Sequence, residues 1–128
     1  GAVTGAYEIK PTEAIIIDVS FAKQPNVPPE KCGKLGGGPM IGIAPALDRS
    51  MTDKLIKTAE KNNITYKLDV MGNSTGTNSD EIAMSRKGVK SALISIPLRY
   101  MHTPVEVIDL ADVESTAKLM AEYIKGVE

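Results

Sequence analysis

The sequence predicts an α/β fold, a buried sheet covered by helices on both faces. Three observations carry this. Short apolar runs rich in β-branched residues recur, as at Ile15-Ile16-Ile17 and over residues 91–97. Amphipathic segments with apolar residues at helical spacing lie between them. The chain has 128 residues, which fits one domain.

Taken in order, residues 1–8 have the small and apolar spacing of a helix end, closed by Lys10-Pro11. Residues 13–19 form a nearly continuous apolar run, the pattern of a strand buried on both faces. Residues 24–39 hold four prolines and four glycines and read as a loop. A second strand covers 40–44. Ser50 caps a helix over 51–62, where Met51, Leu55, Ile56 and Ala59 share one face. Residues 66–70 are a strand and 72–76 a polar loop. Asn78 or Ser79 caps a helix to about Lys87, with Asp80 and Glu81 in its first turn and Gly88 as its stop. Residues 91–97 are another buried strand. Asp109 caps the last helix, with Val113, Ala117, Met120, Ala121 and Ile124 as its apolar stripe. Apolar strands alternating with amphipathic helices imply a sheet with helices on both sides.

Composition excludes several function classes. Lys plus Arg is 15 against 16 Asp plus Glu, so no basic face for nucleic acid is indicated. No apolar run approaches the ~20 residues of a membrane helix. The start, Gly1-Ala2-Val3-Thr4-Gly5, lacks the basic and apolar regions of a signal peptide. Cys32 is alone, so no internal disulfide forms, and a reduced, cytoplasmic setting is expected. Aromatics make up only 4%, which weakens a carbohydrate reading.

In open α/β sheets the chemistry collects beyond strand ends. Asp18, the 36–39 and 72–80 loops, and residues 99–106 lie there. Asp18 ends a run of isoleucines. A carboxylate at such a point either caps a turn or must be paired, hydrogen-bonded or on a metal. His102 is the only histidine, and prolines at 97 and 104 fence it together with Arg99 and Tyr100. Such a fenced loop suits either a plain packed histidine or an imidazole held on a metal, with Arg99 pairing a carboxylate. Gly36-Gly37-Gly38-Pro39 permits close backbone approach but is no P-loop, because Lys and Ser/Thr do not follow at the required spacing. Thr75-Gly76-Thr77-Asn78 precedes a helix start, where capping and anion binding are equally served.

Together and in order, Asp18-Val19 after the isoleucine run, Lys34-Leu35-Gly36-Gly37-Gly38-Pro39, Ser74-Thr75-Gly76-Thr77, and Ile94-Ser95-Ile96-Pro97-Leu98-Arg99-Tyr100-Met101-His102-Thr103-Pro104-Val105-Glu106 carry a resemblance. The chain resembles the tetrahedral aminopeptidase family of dinuclear metallopeptidases, whose members are often called endoglucanases or cellulases. The resemblance implies a three-layer α/β/α sandwich of the zinc-peptidase type, with residues 1–128 as the C-terminal part of the catalytic domain. It implies two divalent ions, zinc or cobalt. Asp18 matches an aspartate ligand of one and His102 a histidine ligand of the other. Gly36, Gly37, Gly38, Gly76, Thr77, Arg99 and Tyr100 would line the substrate site. The other ligands, the general-base glutamate and an inserted oligomerisation domain are expected upstream of Gly1. The chain alone is therefore expected to be inactive, with no tightly bound metal and an open strand edge. The parent is expected to be a homo-oligomer, a dodecamer, acting on peptides. Two positions depart from many relatives: Asn78 stands where they have aspartate, and Phe21-Ala22-Lys23-Gln24 lacks their acidic residue. A glycoside hydrolase using Asp18 and Glu106, and a non-catalytic binding module, are the alternatives.

Overall fold

The computed structural model describes residues 1–127. The chain runs α1 (Ala2–Ile9), β1 (Glu13–Phe21), a single 3-10 turn at Pro29–Lys31, β2 (Met40–Ile43), α2 (Arg49–Lys61), β3 (Lys67–Val70), α3 (Asn78–Ala83), β4 (Lys90–Arg99), β5 (Val107–Ile108) and α4 (Leu110–Lys125). The strands form one sheet in the order β1-β4-β2-β3, with β5 paired to β4. β1 and β4 are parallel, from Glu13 opposite Lys90 to Phe21 opposite Leu98. β2 and β3 are parallel to each other, and β2 runs antiparallel to β4. The sheet is thus mixed, with β4 at its centre. Because β2 enters where β4 leaves, loop 22–39 and loop 100–106 share one end of the sheet.

Helices lie on both faces, as the alternation of elements predicts. On one face α2 and α4 pack over Ile41, Ala92 and Ile94, burying Met51, Leu55, Ala59, Leu119 and Tyr123. This is the larger core. On the other face Ile16, Leu47 and Leu93 form a smaller cluster, with Ala14, Met71 and Ile82 against it. The strand period of two assigns these sets. Leu93 and Ile16 are register partners on one side, and Ile94 and Ile41 are partners on the other.

Four expectations need correction. β1 is not buried on both faces: it is an outer strand, and Ile17 and Phe21 are about 40% exposed. A continuous apolar run marks a central strand only when neighbours exist on both sides. The cap of α2 is Asp48, whose Oδ1 accepts from Met51 N at 2.9 Å, while Ser50 Oγ donates to the same oxygen. Thr77 caps α3, and that helix stops at Ala83 instead of Lys87. Val89 N turns back to Ala83 O, and Arg86 is left-handed at φ +54°, so the helix cannot continue to Gly88. Finally, α4 buries Asp112, Thr116, Leu119 and Tyr123, while Ala117, Ala121 and Ile124 of the anticipated stripe face outward. Two polar residues occupy the buried face, which a hydrophobic pattern does not reveal. Asp109 caps α4 as expected. The two-residue β5 carries no sequence signal of its own.

Hydrogen bonds from the Ser50 hydroxyl and then the Met51 amide hold the Asp48 carboxyl below the usual carboxylate range. A lowered folded pKa adds stability above the unfolded value, and that stability is lost as pH falls through the folded value. Thermal melts should therefore show an acid-limb loss that Asp48→Asn flattens while preserving the cap. Asp48→Ala should cost about 1 kcal/mol at neutral pH.

Candidate functional site

The C-terminal end of β4 collects most of the residues singled out in the sequence. Loop 22–39 is tied down there by backbone bonds: Ala22 N to Leu98 O at 2.9 Å, Gly33 N to Phe21 O at 2.8 Å, and Lys23 N to Gly33 O at 2.9 Å. Between this loop and the strand end lies a cleft of about 550 Å³ lined by Lys23, Gln24, Pro25, Lys34, Leu35 and Arg99. Three cations and no carboxylate line it. Arg99 gives one guanidinium N–H to the Tyr100 hydroxyl at 3.0 Å, and its buried Nε has no partner among the described residues. A buried donor without an acceptor is costly, so the position favours an anionic or carbonyl oxygen.

Asp18 lies on the Ile16 face of β1, opposite Ser95. Arg99, four positions beyond Ser95, falls on the same face by alternation. One carboxylate oxygen of Asp18 accepts from Val19 N at 2.8 Å, and the other has no hydrogen-bond partner among the described residues. His102 stands in the turn after β4, exposed and left-handed at φ +63°. Its backbone N–H is bound by Glu106 at 2.6 Å, and its ring makes no hydrogen bond among the described residues. An oxygen donor and an imidazole, each with a free lone pair, fit the chemistry of zinc or a similar divalent ion. They do not complete a site: no group of three or more His, Cys, Asp or Glu side chains converges among the described residues.

The glycine loop is built against a residue that the sequence did not single out. Asp112 is 1% exposed, and its two oxygens accept from Gly36 N at 2.8 Å and Gly38 N at 2.7 Å. Both glycines have positive φ, +73° and +85°. A Cβ on Gly38 would stand 1.9 Å from Thr65 O, so only glycine fits. These amides are therefore engaged by the protein. The signal for Asp112 lies in spacing: 112, 116, 119 and 123 form one helical face with an acid at its head. Loop 75–80 is likewise self-satisfied. The Asp80 carboxylate accepts from Thr75 N and Gly76 N at 3.0 Å each, and hydroxyls of Thr75, Thr77 and Ser79 bond one another at 2.7 to 2.9 Å. Asp80 lies in the first turn of α3, as expected, and also serves as an internal acceptor for the loop before it. Cys32 is buried, with its thiol directed to Pro28 O at 3.4 Å.

The model of M42 glutamyl aminopeptidase matches residues 1–119. The chain belongs to the M42 family of aminopeptidases. Over 119 residues it is 36% identical to a lysyl aminopeptidase of Pyrococcus furiosus, covering 93% of this chain and 34% of that protein. Aminopeptidase APDkam598 of Desulfurococcus kamchatkensis shares the fold at a TM-score of 0.90 and 37% identity, over 99% of this chain and 38% of that one. The TET1 peptidase of Pyrococcus horikoshii, described as assembling into a tetrahedron or a large octahedral shell, matches at 0.69 and 30% identity, over 97% and 36% of the two chains. This M42 chain thus spans about a third of the length of the curated relative it matches. The mixed sheet with helices on both faces is the fold of these peptidases.

In this M42 chain Asp112→Asn sets an NH2 group against a backbone N–H that now meets a carboxylate oxygen. Urea unfolding should show a loss of about 2–3 kcal/mol, with no change in far-ultraviolet circular dichroism at zero urea. An unchanged midpoint would mean that the clamp contributes nothing.

Proposed function

We propose that this chain contributes part of the catalytic domain of a dinuclear metal-dependent aminopeptidase, which removes N-terminal residues from peptides. The observation that carries the reading is the match to the M42 family along residues 1–119, with the His102 ring and one Asp18 oxygen left without hydrogen bonds among the described residues. In this reading Asp18 serves one zinc or cobalt ion and His102 the other. The remaining ligands and the general-base glutamate belong to the two-thirds of the relatives' length that this chain does not span. When bound, such ions lower the pKa of a water and polarise a carbonyl. What these residues do is hold the donors and shape the pocket. Arg99 walls it, with its guanidinium donating to the Tyr100 hydroxyl behind, and the loop of Gly36, Gly37 and Gly38 sets the path of Lys34 and Leu35 into the cleft. Gly76 and Thr77 belong to the proposed site by family resemblance alone; they stand at the start of α3, whose Ile82 packs on the Ile16 face of the sheet.

Charge refines the substrate. Lys23, Lys34 and the unsatisfied Arg99 Nε favour a carboxylate in the cleft, so acidic N-terminal residues are the proposed preference. Assembly of the whole protein into a homo-oligomer is supported by the shells of the horikoshii relative. A cytoplasmic setting is supported by the lone, buried thiol. No helix is long and apolar enough to cross a membrane among the described residues. No observation favours the glycosidase alternative: the side chain of Glu106 is engaged on His102 N, and no aromatic ring lines the cleft.

Zinc titrated into the chain should shift the His102 ring resonances in nuclear magnetic resonance, with weak affinity, because each ion gains one side-chain donor instead of about three. His102→Ala should abolish the response. A ring that ignores millimolar zinc would sink the metal assignment, and tight uptake of two ions would refute the shared-site reading. Glutarate should perturb the Lys23, Lys34 and Arg99 signals, and added salt should weaken that effect. An equal response to a cationic diamine would refute the acidic preference.

A further inference from the structure

Tyr100 and His102 hold left-handed backbone at φ +61° and +63°, within three residues of the end of β4. Residues with a β-carbon rarely adopt this conformation unless their surroundings hold them there. Here the surroundings are two side chains. Gln24 Oε1 accepts the Tyr100 N–H at 2.7 Å, and Glu106 Oε1 accepts the His102 N–H at 2.6 Å. Thr103 closes the turn, its hydroxyl donating to Tyr100 O at 2.6 Å.

The two acceptors come from different places. Glu106 lies four residues beyond His102, so it braces the turn locally. Gln24 lies 76 residues before Tyr100, in the loop that leaves β1. It therefore ties the segment downstream of Asp18 to the turn that carries His102. The His102 ring is exposed and makes no hydrogen bond among the described residues, so what holds it in place is its backbone, which fixes the Cα–Cβ bond from which the ring departs.

We propose that Gln24 and Glu106 are positioning residues. They lock the Tyr100–His102 turn in its left-handed form and so fix where the imidazole stands relative to the Asp18 strand. Only the last step, the use of that imidazole by a metal, rests on the functional reading above. Each residue acts as an acceptor, which makes the role chemically specific. Gln24→Glu and Glu106→Gln keep an acceptor oxygen. Gln24→Leu and Glu106→Leu keep the bulk and lose it.

Amide hydrogen exchange and zinc titration of the chain test this, with far-ultraviolet circular dichroism and thermal melting as the check on folding. Gln24→Leu should speed exchange at Tyr100 about tenfold, and Glu106→Leu should do so at His102. Both leucine variants should weaken the zinc response of the His102 ring by about tenfold. The two acceptor-retaining variants should match wild type in both measurements. Unchanged exchange in the leucine variants would overturn the proposal, as would equal changes in the acceptor-retaining pair. If a leucine variant does not fold, Gln24→Ala and Glu106→Ala give the same reading without added apolar bulk. A wild-type ring that ignores zinc would remove the metal role, and the exchange rates would still decide the bracing.

Discussion

The buried carboxylate of Asp112 sets the arrangement of one whole side of the molecule. A charge taken from water is tolerated only where its oxygens find donors. Both oxygens find them in the amides of Gly36 and Gly38. This bond pair fixes the rotation of α4, because Asp112 must face inward, and Thr116, Leu119 and Tyr123 follow it on the same face. It also fixes the loop, because the two amides converge on one carboxylate only if both glycines are left-handed. The loop then passes too close to Thr65 O for any side chain at position 38. Lys34 and Leu35, at the near end of this pinned segment, become a wall of the cleft.

β4 supplies the second constraint. It is the longest strand of the sheet and is paired along both edges, and Ser91 to Ser95 are all buried. Its exit point is therefore rigid, and loops 22–39 and 100–106 are built onto a fixed base. The outer strands differ. β1 and β3 each have one unpaired edge among the described residues, and Phe21 and Val70 show apolar surface there. Edges of this kind invite pairing with another strand. They are the part of the molecule whose solvent exposure is least comfortable.

The fold class was legible in the sequence because period and length agree. Three isoleucines in a row at 15–17 and the run 91–97 are too short for helices and too apolar for loops. Met51, Leu55 and Ala59 repeat at helical spacing and do enter the larger core. What escaped was polar. Asp48 displaced Ser50 as a cap because the acid accepts bonds from both the serine hydroxyl and the Met51 amide. The α4 face was misread because its first two buried positions are Asp112 and Thr116, and a count of apolar residues passes over both. The glycine triplet was legible as a place of close approach. Its partner was not, since a bond across 74 to 76 positions leaves no local pattern. The same holds for Gln24, which accepts from Tyr100 N across 76 positions.

These polar contacts divide the candidate site into braced and unbraced atoms. The amides of Gly36, Gly38, Thr75, Gly76, Tyr100 and His102 each end on a side-chain acceptor within the chain. They serve the backbone and have little left to give a ligand. Among the described residues, the His102 ring, one oxygen of Asp18 and the Nε of Arg99 make no hydrogen bond. The first two are donors for a metal and the third is a donor for a carboxylate. The backbone polar groups are thus spent on rigidity, while side-chain atoms of these types stay unbonded, the division a preorganised site requires. The division also explains why two left-handed residues are tolerated in so short a turn. Their strain, of order 1–3 kcal/mol each, is offset by braces on the Tyr100 and His102 amides, which fix the point from which the His102 side chain leaves the turn.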